Sequence, residues 1–152
     1  MPGIVIVAHT PLASAMLGFA EQTFGSLPEK IQAVDIPPYE DAKVSFDRVL
    51  AAAKAVDMGN GILVLTDVMG ATPSNVATRL IGQIQLAGKP LSPIIVLTGL
   101  NLPMLMRAVS YRQEDLEELA KKTLQGGQMA FYVLALIPIF LTPPLRIVNA
   151  KR

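Results

Sequence analysis

A histidine, an aspartate and a short run of hydroxyl and amide side chains carry the chemistry open to this chain. His9 is the one histidine among 152 residues. A neutral imidazole offers a nitrogen lone pair near pH 7, with an unperturbed pKa of about 6.5, so His9 is a nucleophile by type. It needs orientation. A carboxylate such as Asp67, accepting a hydrogen bond from one ring nitrogen, would fix the tautomer, expose the other nitrogen and stabilise the cation that develops on attack. The stretch Gly70-Ala71-Thr72-Pro73-Ser74-Asn75 adds a small-residue turn, a hydroxyl at a helix start and backbone amides at the positive end of a helix dipole. That is a cradle for an anion such as a phosphoryl group. Lys and Arg are absent from residues 8–17 and 66–76, which suits reversible transfer, because a strongly cationic pocket would hold the group too tightly. The candidate catalytic pair is therefore His9 and Asp67, and the candidate phosphate-binding residues are Thr72, Ser74, Asn75 and Asn101.

Taken singly, each feature has a commonplace structural reading: a lone histidine at a strand end, an aspartate capping a turn, an ordinary Thr-Pro helix start, an asparagine bonding its own turn. Their coincidence carries the signal. The apolar runs Ile4–Ala8, Ile31–Val34, Ile62–Leu65 and Ile94–Leu97 lack polar alternation and are rich in Ile and Val, as strands buried on both faces are. Helical spacing fills the gaps, in Leu12-Ala15-Met16-Phe19-Ala20, Val44-Val49-Leu50-Ala53 and Val76-Leu80-Ile84. This alternation predicts an α/β fold, a doubly wound, mainly parallel sheet with helices on both faces. In such sheets ligands gather beyond the carboxyl ends of the strands. His9, Asp67 and Asn101 each follow a strand there.

Thr10-Pro11 and Thr72-Pro73 each predict a hydroxyl N-cap with proline at the first helical position. Gly25, Gly59-Asn60-Gly61 and Gly88 read as stops, and Pro37-Pro38 opens the connection to the second helix. Later come a helix from about Pro103 and a charged helix around 113–124, which Gly126-Gly127 is expected to end.

Composition narrows the function classes. Hydrophobic residues make up 51% and charged residues 16%, with a mean hydropathy of +0.45, which excludes a disordered chain and asks for an extensive core or an oligomer interface. A net charge of +1 without a basic cluster argues against nucleic acid or an anionic membrane surface as a partner. The lack of cysteine removes thiolate catalysis and thiolate metal sites. No metal site is expected, since carboxylates do not cluster near His9, and no cofactor is required. The opening Ile4-Val5-Ile6-Val7-Ala8 is too short for a signal peptide, and Pro138 interrupts the apolar stretch 129–141, with Pro143 and Pro144 just beyond it, so a cytoplasmic protein is expected.

Three ordered motifs resemble the EIIA components of the mannose class of the bacterial sugar phosphotransferase system. Gly3-Ile4-Val5-Ile6-Val7-Ala8-His9-Thr10 is similar to that family's first strand and phosphorylated histidine. Leu65-Thr66-Asp67-Val68-Met69-Gly70-Ala71-Thr72-Pro73-Ser74-Asn75 resembles its second motif, and Thr98-Gly99-Leu100-Asn101-Leu102-Pro103-Met104 its third. The resemblance covers roughly residues 3–127. It implies a flavodoxin-like fold, phosphorylation of His9, Asp67 as its hydrogen-bonded partner, Thr72 and the following helix start as phosphate-stabilising groups, and Asn101 shaping the same pocket. It further implies a homodimer sharing a C-terminal strand, the carrier HPr as donor and an EIIB domain as acceptor for sugar uptake, with the membrane met only through a transporter. The alternative is a regulatory module whose His9 phosphorylation state signals to a partner.

Thr72 stands where the family usually has Ser and Ala71 where it usually has Gly, changes that keep a hydroxyl and a tight turn. Residues 1–128 are expected to form the phosphotransfer domain, and 129–152 an apolar tail. A phospho-aspartate receiver would need an acidic pair after strand one, where this chain has Ala8-His9-Thr10. An α/β-hydrolase is excluded because no G-x-S-x-G elbow exists.

Overall fold

The apolar runs form the strands of a parallel sheet in the computed structural model, which describes residues 1–26, 28–83 and 91–131. In chain order the elements are β1 Gly3–His9, α1 Leu12–Phe24, β2 Ile31–Ile36, α2 Ala42–Val56, β3 Ile62–Thr66, α3 Thr72–Gln83, β4 Ile94–Leu97, α4 Leu102–Ser110 and α5 Leu116–Gln128. The strand order is β2-β1-β3-β4, and every pairing is parallel. The chain reverses its winding direction between β1 and β3, which places a crevice at the carboxyl ends of those two strands.

The absence of polar alternation in β1 and β3 follows from burial on both sides. Ile4, Ile6 and Ala8, with Leu63 and Leu65, pack beneath α1, α4 and α5. Val5 and Val7, with Ile62 and Val64, meet Val49, Ala53 and Val56 of α2 and Ala77 and Leu80 of α3. The layers approach closely at Gly3, where an added Cβ would sit 2.5 Å from the Val56 carbonyl oxygen. Only a hydrogen fits there. β4 has a strand neighbour on one side only among the described residues, and its side chains are half-buried.

Three expectations about helix ends are corrected. Thr10 does not cap α1: its amide donates to the Ile36 carbonyl at 3.2 Å, so it still belongs to the strand ladder, and the helix begins after Pro11 across a cis Thr10–Pro11 bond. Asp35 on β2 serves the helix start instead, its Oδ1 accepting the Ser14 amide at 3.1 Å. Thr72 is the first residue of α3 itself, with Pro73 second. Gly126-Gly127 do not stop α5, which runs on to Gln128; a Cβ at Gly126 would run into the Arg107 side chain, and one at Gly127 would lie 3.2 Å from Met104 Cβ. These glycines let α5 approach α4. Gly25 does end α1, in the left-handed conformation. The expected stop at Gly88 and the tail from 132 onward lie outside the described residues. Within the described residues no helix is long and apolar enough to cross a membrane.

Candidate functional site

β1 delivers His9 as its last residue and β3 delivers Asp67 as the residue after its end. The two strands are direct neighbours, with Val7 opposite Thr66 in the register, so the side chains meet at the sheet edge. Asp67 Oδ2 lies 2.6 Å from His9 Nδ1 and accepts the His9 backbone amide at 2.9 Å. Its other oxygen, Oδ1, accepts the Val68 amide at 2.8 Å. The carboxylate is therefore fixed from three directions. The ring is asymmetric in its surroundings: the His9 side chain is 51% exposed and that of Asp67 only 8%.

Burial pushes the Asp67 carboxyl up, and hydrogen bonds from the His9 amide, the His9 ring and the Val68 amide together outweigh it, leaving the acid below the ordinary carboxylate range. Asp67 is thus a permanent anion at neutral pH. A permanent acceptor beside Nδ1 favours the tautomer with its proton there and leaves the lone pair to Nε2.

The loop after Asp67 folds back on itself. The Ala71 amide donates to Val68 O at 3.2 Å, Gly70 takes φ +80°, and Asn75 Nδ2 donates to Gly70 O at 3.1 Å. With Ala71 engaged and Pro73 lacking an N–H, the first turn of α3 offers the amides of Thr72 and Ser74 as helix-start donors. Thr72 and Asn75 are exposed and Ser74 is buried. Asn75 spends its amide group on the turn, so it holds the loop shape.

Asn101 joins two helices. Its Oδ1 accepts the Met104 amide at 3.0 Å as N-cap of α4, and its Nδ2 donates to Gly127 O on α5 at 3.3 Å. It reaches the reactive pair only through backbone: Gly99 N donates to Asp67 O at 2.9 Å and Leu100 N to Thr66 O at 3.0 Å. Sequence reasoning missed these two amide bonds, which bind the third motif to the second, and missed Asp35. An acid in the penultimate position of a strand, between Val34 and Ile36, was the available signal for the latter. Among the described residues no cluster of His, Asp or Glu could hold a metal ion.

A doubly wound parallel sheet that carries an Asp-bonded, half-exposed histidine at its switch point is a domain of the flavodoxin-like kind. The chain belongs to the EIIA-man family, described as the PTS system fructose IIA component, whose model matches residues 3–124. Phosphotransfer in the sugar phosphotransferase system is the role of that family. Among curated relatives, the PTS system mannose-specific EIIAB component of Escherichia coli (strain K12) is 28% identical over 138 residues, covering 90% of this chain and 40% of that protein. The chain thus spans about two fifths of the length of the curated relatives it matches. Two solved structures superpose along almost their whole length. The phosphotransferase system component EIIA from Streptococcus agalactiae is 28% identical with a TM-score of 0.76, over 88% of this chain and 97% of that one. The mannose/sorbose specific IIA subunit from Enterococcus faecalis is 27% identical with a TM-score of 0.73, over 91% and 98%.

Proposed function

We propose that His9 accepts a phosphoryl group on Nε2 from the phosphorylated carrier HPr and passes it to an EIIB domain that serves sugar uptake, in the cytoplasm. The observation that carries this reading is the 2.6 Å contact of Asp67 Oδ2 with His9 Nδ1 beneath a half-exposed ring. As the P–N bond of the donor breaks, its electron pair leaves with the donor and a new P–N bond forms at Nε2. The Nδ1 proton stays between ring and carboxylate, where Asp67 stabilises the cationic phospho-imidazole. The transition state is loose, with charge spread over the equatorial oxygens, and positioned dipoles meet that charge. The amides and hydroxyls of Thr72 and Ser74 at the start of α3 are the groups for this, with Asn75 shaping their turn and Asn101 anchoring the neighbouring loop.

Residues 1–128 form the phosphotransfer domain in this reading, and the apolar tail 129–152 supplies a strand exchanged in a homodimer. The apolar composition of that tail, and the pairing of β4 on one side only among the described residues, support the exchange. A monodisperse monomer by light scattering would remove it. Nothing observed favours the regulatory alternative over transfer.

Incubation with phosphorylated HPr tests the central step. Wild-type protein should take up acid-labile label, and His9→Ala should take up none. Equal labelling of the two would overturn the assignment.

A further inference from the structure

Asp67 is held by backbone bonds from a second loop, at a point where the sheet no longer holds it. The β1–β3 ladder ends with Val7 opposite Thr66, and the β3–β4 ladder with Leu65 opposite Leu97, so Asp67 lies past the last strand pairing. Two successive amides of the β4–α4 turn take over. Leu100 N donates to Thr66 O at 3.0 Å, and Gly99 N donates to Asp67 O at 2.9 Å. These carbonyls belong to the two peptide units that flank the Asp67 Cα. Thr66 Oγ1 adds a bond to Leu97 O at 3.4 Å.

With both flanking peptide planes held, φ and ψ of Asp67 are set, and with them the direction in which its Cβ leaves the backbone. Only two side-chain torsions then separate that bond from the carboxylate oxygens. The tolerance is small. A tilt of about 15° at Cα moves an oxygen about 3 Å away by up to roughly 0.8 Å, which would carry the 2.6 Å contact with His9 Nδ1 to the limit of a hydrogen bond.

Residue 99 takes φ +83° as the chain turns these amides back onto β3. A Cβ built on Gly99 would meet nothing within 4 Å, so the glycine is there for its backbone and not for room. At Gly3 and Gly126, by contrast, a Cβ would collide. Gly25 is the matched case away from the site: it ends α1 at φ +76°, again with nothing within 4 Å.

Resting on the phosphotransfer reading, we infer that Gly99 is a positioning residue for the transfer step: its left-handed backbone lets two consecutive amides fix the peptide units on either side of Asp67, and so aims the carboxylate at the His9 ring. Gly99 acts through Asp67, without a bond to the ring itself.

The test follows labelling of the whole chain by phosphorylated HPr, with the NMR shifts of the two His9 ring nitrogens as a second readout. Gly99→Ala should lower kcat about tenfold or more, with KM within about twofold of wild type. The two nitrogen shifts should move toward each other as the tautomer preference weakens. Gly99→Asn, which tolerates a left-handed backbone, should recover most of the lost rate. Gly25→Ala imposes the same backbone conflict at the end of α1; it should lower the melting temperature comparably and leave kcat and the ring shifts as in wild type. A kcat for Gly99→Ala within about twofold of wild type, or an equal loss in Gly99→Asn or in Gly25→Ala, would overturn the inference and leave the phosphotransfer reading intact. In the wild-type chain the Gly99 and Leu100 amides should exchange hydrogen about a hundredfold more slowly than those of an open loop. Exchange at the open-loop rate would overturn the inference even if no variant folds. Wild-type protein that takes no label would remove the phosphotransfer reading and the inference with it.

Discussion

Asp67 holds His9 twice, by the ring at 2.6 Å and by the backbone amide at 2.9 Å, with one oxygen serving both contacts. One carboxylate oxygen thus ties the rotamer of the nucleophile to the strand that carries it, so that orientation does not depend on a long flexible linkage. Removing the charge while keeping the shape separates these duties. Asp67→Asn should fold and still accept one hydrogen bond, but its amide would not favour the cationic ring. The rate of labelling by phosphorylated HPr should fall by about 10²-fold or more. Rapid-quench labelling checks this, and a rate equal to wild type would exclude the carboxylate from the transfer step.

The acid side of the stability profile carries a second expectation. Because the carboxyl of Asp67 lies below its ordinary value in the folded protein, its contribution is complete above the unfolded value near pH 4 and is lost as pH falls through the lower folded value. The difference in unfolding free energy between wild type and Asp67→Asn should shrink as pH falls below about pH 4. Urea unfolding at fixed pH steps measures it. A difference that grows as pH falls below about pH 4 has the wrong sign for this carboxylate.

Asn101, expected to shape the anion pocket, joins two helices. Asn101→Ala removes the α4 cap and the bond to Gly127 O. It should cost about 1–2 kcal/mol, or roughly 2–8 °C of melting temperature for a chain of this size. Calorimetry reads this directly.

Gly3 offers a test of the layer packing. An alanine there must displace the Val56 carbonyl of α2, which is backbone and cannot swing away. Gly3→Ala should therefore destabilise the protein by about 1–3 kcal/mol, whereas alanine at Gly18, with nothing within 4 Å of its Cβ position, should not. Chemical denaturation of the two variants side by side makes the comparison.

The layered α/β architecture was legible because buried parallel strands have an unmistakable composition: Ile4-Val5-Ile6-Val7 and Ile62-Leu63-Val64-Leu65 are apolar at every position. His9 and Asp67 were legible as a pair because two strand ends in a doubly wound sheet converge. What failed were inferences from single residue types whose local preference was overridden by tertiary partners. Thr10 has the chemistry of a cap, but Ile36 claims its amide for the sheet. Gly126 and Gly127 have the chemistry of a helix stop, but the proximity of α4 is what requires them. Asp35 was overlooked since its service to α1 joins residues whose meeting only the β1–β2 pairing creates.

The bond from Asn101 to Gly127 has a mechanical sequel. From the last turn of α5 a continuous rope runs through Asn101 and Gly99 to the peptide carbonyl of Asp67. The end of α5 and the loop that carries the Asp67 carboxylate are therefore one hydrogen-bonded unit, although 60 positions separate Asp67 from Gly127 in the chain.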